Sequence, residues 1–419
     1  MTSRAIVYPF HGLDLLAAAG SVGAAMKADI DPVRPPRCPL DVLPQVLLSM
    51  VLFDERRLDD LFDEVRSFQP FEELRRGDFD AVVGMMSGRY AGTRVRELAG
   101  RIYLDAERGT ARAREGAAML LYSSGGSIPD RGYYAMRVAG DGAKIGELDE
   151  EFVFERRVGN SFSFGSQAWR IVSIGDEAVT VAPLDRDADF MPFWKAEKPS
   201  RGASVSRRML DACSGFQADP AGFLDRLRST LGFSAEAADA LAAFLASQAR
   251  SQGGAPLPSA SSLPAESFRD PGKKGDSCNI VLHTLRGSSV NEPLGIALAA
   301  ELGSILGIRV DRLSDDDAVS LALPLVDGKE AETAVRTAFA ALADRGRLGA
   351  AVRSGLAESG AFGAAFRENA GRALLLPRSG FGKRTPLWVT RLRAKRLYEK
   401  TKAYDDFPVI AETWKTVLE

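Results

Sequence analysis

Apolar positions recur at helical spacing from Leu40 to Phe53, from Arg57 to Val65 and from Phe79 to Met86, and predict three helices after the proline-rich stretch Pro32 to Pro39. Asp78 stands where an N-cap belongs, and Ser87-Gly88 where a helix stops. The period then switches to alternation. Leu98 to Leu104 and Thr110 to Leu121 read as two strands around the turn Glu107-Arg108-Gly109. Three helices followed by a β-hairpin is the order of a winged helix, a variant of the helix-turn-helix.

Alternation continues in six short runs: Tyr133 to Val138, Lys144 to Leu148, Phe152 to Arg156, Ser161 to Phe164, Ala168 to Ile174 and Ala178 to Ala182. Turn residues at Gly140-Asp-Gly142, Gly159-Asn160 and Gly175-Asp176 separate them, and the pattern predicts a small antiparallel β-barrel. Helical spacing returns at Val205 to Cys213 and Pro220 to Ser251, with a break at Gly232-Phe233. Gln252 to Gly275 is rich in Gly, Ser and Pro and reads as a linker. Beyond it, Asn279 to His283, Arg309 to Leu313 and Val319 to Leu325 read as strands, Glu292 to Ile305 as a helix, and helices dominate from Glu330 onward. At the other end, Ala5 to Phe10 is a short β-run and Leu13 to Met26 an apolar helix. One strand and one helix cannot bury both faces, so residues 1–28 read as the tail of a domain whose body lies elsewhere. The fold class expected is α+β multidomain: a winged helix at 29–122, a β-barrel at 123–204, a helical segment at 205–251, a linker at 252–277 and a C-terminal α/β domain at 278–419.

A chain of 419 residues exceeds what one core fills, and 45% apolar with 26% charged residues is an ordinary soluble globular composition. No apolar run reaches the roughly 18 residues needed to span a bilayer, so no membrane role and a cytoplasmic setting are expected. Three cysteines without a CxxC pair exclude a disulfide framework and a zinc ribbon, and His11 and His283 are the two histidines. Net charge is −2, but it is unevenly spread. Residues 367–402 hold eleven Arg or Lys against Glu368 and Glu399; residues 89–114 hold seven Arg against three acids; residues 54–80 hold ten acids against five bases. Local basic surfaces on a near-neutral chain suit phosphate contacts in one groove.

The chain has no GxxxxGK(S/T) loop, no GxSxG elbow and no dinucleotide fingerprint, since Gly140, Gly142 and Gly146 miss that spacing and lie between strands. His283 closes a strand without a nucleophile or metal cluster beside it and reads as structural, and Trp169 alternates as core. Candidate ligand-binding residues are aromatic, apolar and basic. Trp194 in Met191-Pro-Phe-Trp194, with Lys195 and Arg201 after it, either stacks on a base or closes the barrel core. Ile128 in Gly125-Gly-Ser-Ile128 either wedges against a base or is buried in an interdomain turn. Arg94 and Arg101 lie in the basic run of the wing; Lys383, Arg384 and Arg391 lie in the C-terminal basic run, where acidic partners at i±4 are scarce.

Seven stretches carry a resemblance: Pro39-Leu-Asp-Val-Leu-Pro-Gln45, Asp78-Phe-Asp-Ala-Val-Val83, Ser124-Gly-Gly-Ser-Ile-Pro-Asp130, Ile145 to Val153, Met191-Pro-Phe-Trp194, Val281-Leu-His-Thr284 with Val290-Asn-Glu-Pro293, and Asn369 to Pro377. In this order, across residues 39–419, they resemble the large helicase-related (Lhr) family of superfamily 2 DNA helicases. The resemblance implies two RecA-like motor domains first, then a winged helix and a barrel-containing domain that closes around the translocating strand. Residues 1–28 would match the last strand and helix of the second motor domain. It also implies that Ile128 and Trp194 fall where family members touch the single strand. The departure is the lack of the phosphate loop and the DEAD/H-type acidic motif, so the chain is expected not to be an autonomous enzyme. No cofactor is expected in this chain, with ATP and magnesium confined to the motor domains. The expected role is the DNA-binding portion of a 3′-to-5′ ATP-dependent translocase in DNA repair, with single-stranded DNA or an RNA:DNA hybrid as partner. The alternative is a non-catalytic partner that docks on a separate RecA-like motor subunit.

Overall fold

The computed structural model describes residues 5–93, 95–128, 133–149, 152–153, 156–165, 167–175, 177–185, 200–269, 277–324, 326–357, 359–377, 379–380, 383–385 and 387–418. The chain forms two compact units, each discontinuous in sequence: Met1–Val33 with Pro199–Glu358, and Arg34–Lys198 with Ser359–Glu419. The contiguous segments expected from composition are therefore interleaved, because buried faces find partners from both ends of the chain.

In the first unit, the apolar stretch near the N-terminus is the helix Gly12–Met26, opened by the His11 ring accepting the Asp14 N–H at 3.3 Å. Its small residues let it lie close against the helix Ala203–Ala218: a Cβ at Gly20 would stand 2.9 Å from the Met209 side chain. Leu15, Leu16 and Ala19 share a core with Met209, Leu210, Phe223, Leu241 and Leu245. The expected strand at Ala5 to Phe10 is not formed, since nothing pairs with it among the described residues, and Ile6, Tyr8 and Phe10 are exposed. A second core joins the antiparallel sheet of Asp311–Ser314, Ala318–Pro324, Ser277–His283 and Ala265–Phe268, in that order, to the helices Ser288–Leu306 and Gly328–Leu342. Part of the expected linker is thus structured. Leu257 is buried in the helical core, and Ala265–Phe268 is an edge strand.

The second unit opens with the helices Leu43–Met50, Leu58–Arg66 and Arg76–Ser87. Asp78 sits in the first turn of the third helix, paired with Arg75 at the N-cap position, and Gly88 ends that helix at φ 96°, a conformation that favours glycine. The wing pairs Ile102–Asp105 with Thr110–Ala113, and Arg56–Arg57 adds a third strand. Its turn is held by the Asp105 carboxylate, which accepts the Glu107 and Arg108 N–H groups at 3.0 Å. The second wing strand stops at Ala113, four residues short of the helix Ala117–Ser124, so the strand expected to reach Leu121 is corrected there. Glu115-Gly116, with Gly116 at φ 80°, breaks the extended run, and Ala-Ala-Met-Leu-Leu favours a helix.

Five strands follow, in the order Lys144–Asp149, Tyr133–Val138, Ala178–Leu184, Gln167–Ile174, Ser161–Phe164. Tyr133–Val138 and Ala178–Leu184 run parallel, which corrects the all-antiparallel expectation. The connection from residue 139 to 177 is long enough for the crossover a parallel pair needs. Bulges at Met136/Arg137 and Ile171/Ser173 curl the sheet around Met136, Leu148, Phe162, Val179 and Val181. Trp169 packs on this core and donates its indole N–H to the Phe164 carbonyl at 3.3 Å. The C-terminal helices Gly360–Arg372, Leu387–Thr401 and Pro408–Leu418 complete the unit, sharing a core with Tyr90, Val95 and Leu98.

Candidate nucleic-acid interface

A cleft of about 700 Å³ in the second unit is walled on one side by the segments flanking the wing strands and the helix Ala117–Ser124, and on the other by Leu375, Pro377, Thr385 and Arg393. Arg96, Arg101, Arg114 and Arg393 line it, with Glu97 and Glu115 as the acids and Met119, Leu120, Leu375 and Pro377 as the apolar surface. The wing strands set the arginines. Arg114 donates its Nε–H to the Ile102 carbonyl at 2.9 Å and lays its guanidinium over the Tyr103 ring at 4.3 Å, with Arg112 over the same ring at 4.6 Å. Arg393 reaches in from the helix Leu387–Thr401, its Nε 3.8 Å from the Glu97 carboxylate.

Arg101 differs from the other three. Its backbone N–H is held by the Met86 carbonyl at 2.6 Å, while its side-chain Nε is buried without a hydrogen-bond partner. Burial pulls its pKa below the ordinary arginine value, opposed by the Glu97 charge. Arg101 thus adds a half-buried positive charge to the cleft wall, with its Nε sealed from solvent.

The helix Ala117–Ser124 edges this cleft and turns an apolar row to solvent. Met119 is 72% exposed, Tyr122 76% and Ile128, beyond its end, 80%. Of the residues singled out in the sequence, Ile128 is therefore an exposed apolar tip rather than a buried one, and Arg101 is on the cleft wall. Arg391 is half-buried on the helix that carries Arg393. The strand Lys383–Arg384 leads into Thr385 of the cleft wall, but the side chains of Lys383 and Arg384, like Arg94, Trp194 and Lys195 altogether, lie outside the described residues.

Arg201 belongs to a different environment. Its guanidinium donates to the Asp317 carboxylate at 2.6 Å, the Asp316 carbonyl at 2.7 Å and Ser206 Oγ at 3.2 Å, all within the first unit. With its side chain 13% exposed, this arginine ties the turn between the strands Asp311–Ser314 and Ala318–Pro324 to the helix Ala203–Ala218, so its guanidinium donors are engaged within the fold. The His283 Nε2 is buried without a hydrogen-bond partner, 3.5 Å from the Glu266 carboxylate across two paired strands.

Met119, Tyr122, Arg96, Arg114 and Arg393 were not singled out in the sequence. Reading residues 110–121 as one strand hid the i, i+3 spacing of Met119 and Tyr122; the Glu115-Gly116 break was the available signal. Among the described residues, no group of three His, Cys, Asp or Glu converges to hold a metal ion. No helix among the described residues is long and apolar enough to cross a membrane.

Two family models match the chain: the large helicase-related protein winged helix domain over residues 24–190, and the DEAD/H associated region over residues 257–419. The chain is 34% identical along its whole length to the Lhr helicase/probable uracil glycosylase of Mycolicibacterium smegmatis, and 33% identical to the Lhr helicase/uracil glycosylase of Escherichia coli K12. It spans 27% of the length of each of these relatives. The solved structure of Mycobacterium smegmatis helicase Lhr bound to ssDNA and AMP-PNP superimposes on 98% of the chain with a TM-score of 0.74 at 30% identity, and the chain spans 47% of that one. Both family models and full-length similarity of this chain converge, and the chain belongs to the large helicase-related family, of which it carries the winged helix domain and the DEAD/H associated region.

Proposed function

We propose that this chain grips single-stranded DNA for an Lhr-type 3′-to-5′ ATP-dependent translocase acting in DNA repair, in the cytoplasm, with an RNA:DNA hybrid as a further substrate. The observation that carries the reading is the arginine-lined cleft, edged by the exposed row Met119, Tyr122 and Ile128. Cations that follow a phosphate backbone beside apolar and aromatic side chains that meet bases form the usual arrangement for sequence-tolerant single-strand binding. The relative solved with ssDNA supports the same reading. On this view the curled five-stranded sheet is the barrel of the family layout, and ATP and magnesium act outside these residues. In this proposal, phosphate contacts are assigned to Arg94, Lys195, Lys383, Arg384 and Arg391, and base stacking to Trp194.

Fluorescence anisotropy of a labelled single-stranded oligonucleotide over a salt series tests this. Binding weakens steeply with salt, and Trp194→Ala costs about 1–3 kcal/mol, the worth of one base stack. Affinity that ignores both salt and Trp194 refutes the reading. The exposure of Ile6, Tyr8 and Phe10 favours a second reading, a non-catalytic partner docking on a separate motor subunit. Co-purification with a motor protein, with no protection of DNA by the pair, would select it.

A further inference from the structure

Three of the stretches singled out in the sequence, Pro39 to Gln45, Ser124 to Asp130 and Asn369 to Pro377, meet around one side chain. Gln45, on the helix Leu43–Met50, accepts the Gly126 N–H on its Oε1 at 2.7 Å. Its Nε2 donates to the Arg372 carbonyl at 2.6 Å and to the Gly126 carbonyl at 3.3 Å. Both backbone groups of Gly126 are thus held by one amide. The far side of the grip is itself fixed. The Arg372 guanidinium is paired with the Asp41 carboxylate and donates to the Asn369 side-chain carbonyl, and Asn369 donates to Thr413 and Thr416 at 3.3 and 3.2 Å. Asp41 and Asn369 are buried, which shields this anchor from water, while the two bonds to Gly126 lie at its exposed end.

What the grip restrains is a segment with little stiffness of its own. Gly125 and Gly126 are consecutive, Gly126 adopts φ 119°, and a Cβ on Gly125 would stand 2.4 Å from the Leu121 carbonyl oxygen. Glycine is required by this path, and glycine gives the backbone its greatest freedom. Two residues beyond Gly126 stands Ile128, 80% exposed.

We infer that Gln45 is a positioning residue: anchored through Arg372 and Asp41, it holds Gly126 at both its N–H and its carbonyl, and so fixes where Ile128 stands on the nucleic-acid track. The role of Ile128 on that track rests on the proposed function; the grip on Gly126 does not. Gln45→Met keeps the side chain's length and removes its hydrogen bonds, which separates positioning from packing.

Hydrogen–deuterium exchange of the full-length chain tests the grip without DNA. In Gln45→Met the segment at residues 125–128 exchanges faster while the rest of the winged helix is unchanged; unchanged exchange of that segment overturns the inference. Titration with labelled oligothymidylate tests the consequence. Gln45→Met binds roughly three- to tenfold more weakly, the loss expected when one contact group must be ordered on binding. Gln45→Met combined with Ile128→Ala binds no more weakly than Ile128→Ala alone. Losses that multiply in the double variant show Gln45 acting apart from Ile128 and overturn its positioning role. Faster exchange with parental binding by Ile128→Ala instead overturns the turn's part in the proposed function and the positioning role with it, leaving the grip alone.

Discussion

Arg101→Met changes stability and binding in opposite directions. In the folded chain the Arg101 Nε is buried with no acceptor, and burial already lowers the guanidinium pKa. An unsatisfied buried donor costs about 1–3 kcal/mol, whereas methionine retains most of the apolar stem. Arg101→Met therefore leaves the thermal midpoint unchanged or raises it. With single-stranded DNA bound, the Arg101 charge in the cleft wall attracts a phosphate, while its Nε stays sealed. A charge-assisted hydrogen bond contributes about 1.5–3 kcal/mol, and the openness of the cleft toward solvent puts the expected loss at the low end, about tenfold in affinity. Removing one phosphate contact also flattens the slope of log K against log salt by about 0.7, the single-strand value. Differential scanning fluorimetry gives the first quantity and anisotropy titrations at several salt concentrations give the other two. Two results refute the reasoning: an unaltered salt slope with parental affinity, or a midpoint lowered by several degrees, which would mean that the guanidinium has a partner within the fold.

Tyr122→Ala removes an exposed ring, so it shifts stability by less than about 0.5 kcal/mol while weakening oligothymidylate binding by about 1 kcal/mol or more, read by the same two assays. Arg201→Ala does the reverse: stripping Asp316 and Asp317 of their half-buried donor lowers stability in urea unfolding by about 2 kcal/mol, with DNA affinity unchanged. The Arg347 guanidinium beside Glu301, at 2.8 Å, holds that carboxyl below its ordinary value. A lowered folded value means that the pair stabilises the chain above the unfolded pKa of a glutamate and loses this as pH falls through the lowered one. The urea midpoints of the parent and Glu301→Gln therefore differ most near neutrality and converge in acid; a gap that widens on acidification contradicts the pairing.

What the sequence determined by itself is the local layer. Helical spacing marked the three helices between Leu43 and Ser87, Gly88 marked the end of the third, and Glu107-Arg108-Gly109 marked the wing turn, because caps, turns and amphipathic periods depend on residues within a few positions of one another. The same locality made Ile128 and Arg101 visible as candidates. Tertiary structure decided everything that needs a partner from far along the chain. The two units interleave, the strands Tyr133–Val138 and Ala178–Leu184 pair in parallel, and part of a Gly/Ser/Pro-rich stretch becomes an edge strand. It also separated arginines that composition treats alike: Arg201 is neutralised by aspartates more than a hundred positions away, while Arg101 keeps an unanswered donor beside a cleft. Gln45 is unremarkable in sequence and acquires its role from Gly126 and Arg372, 81 and 327 positions distant, because charge and hydrogen bonding act through space and only folding sets those separations.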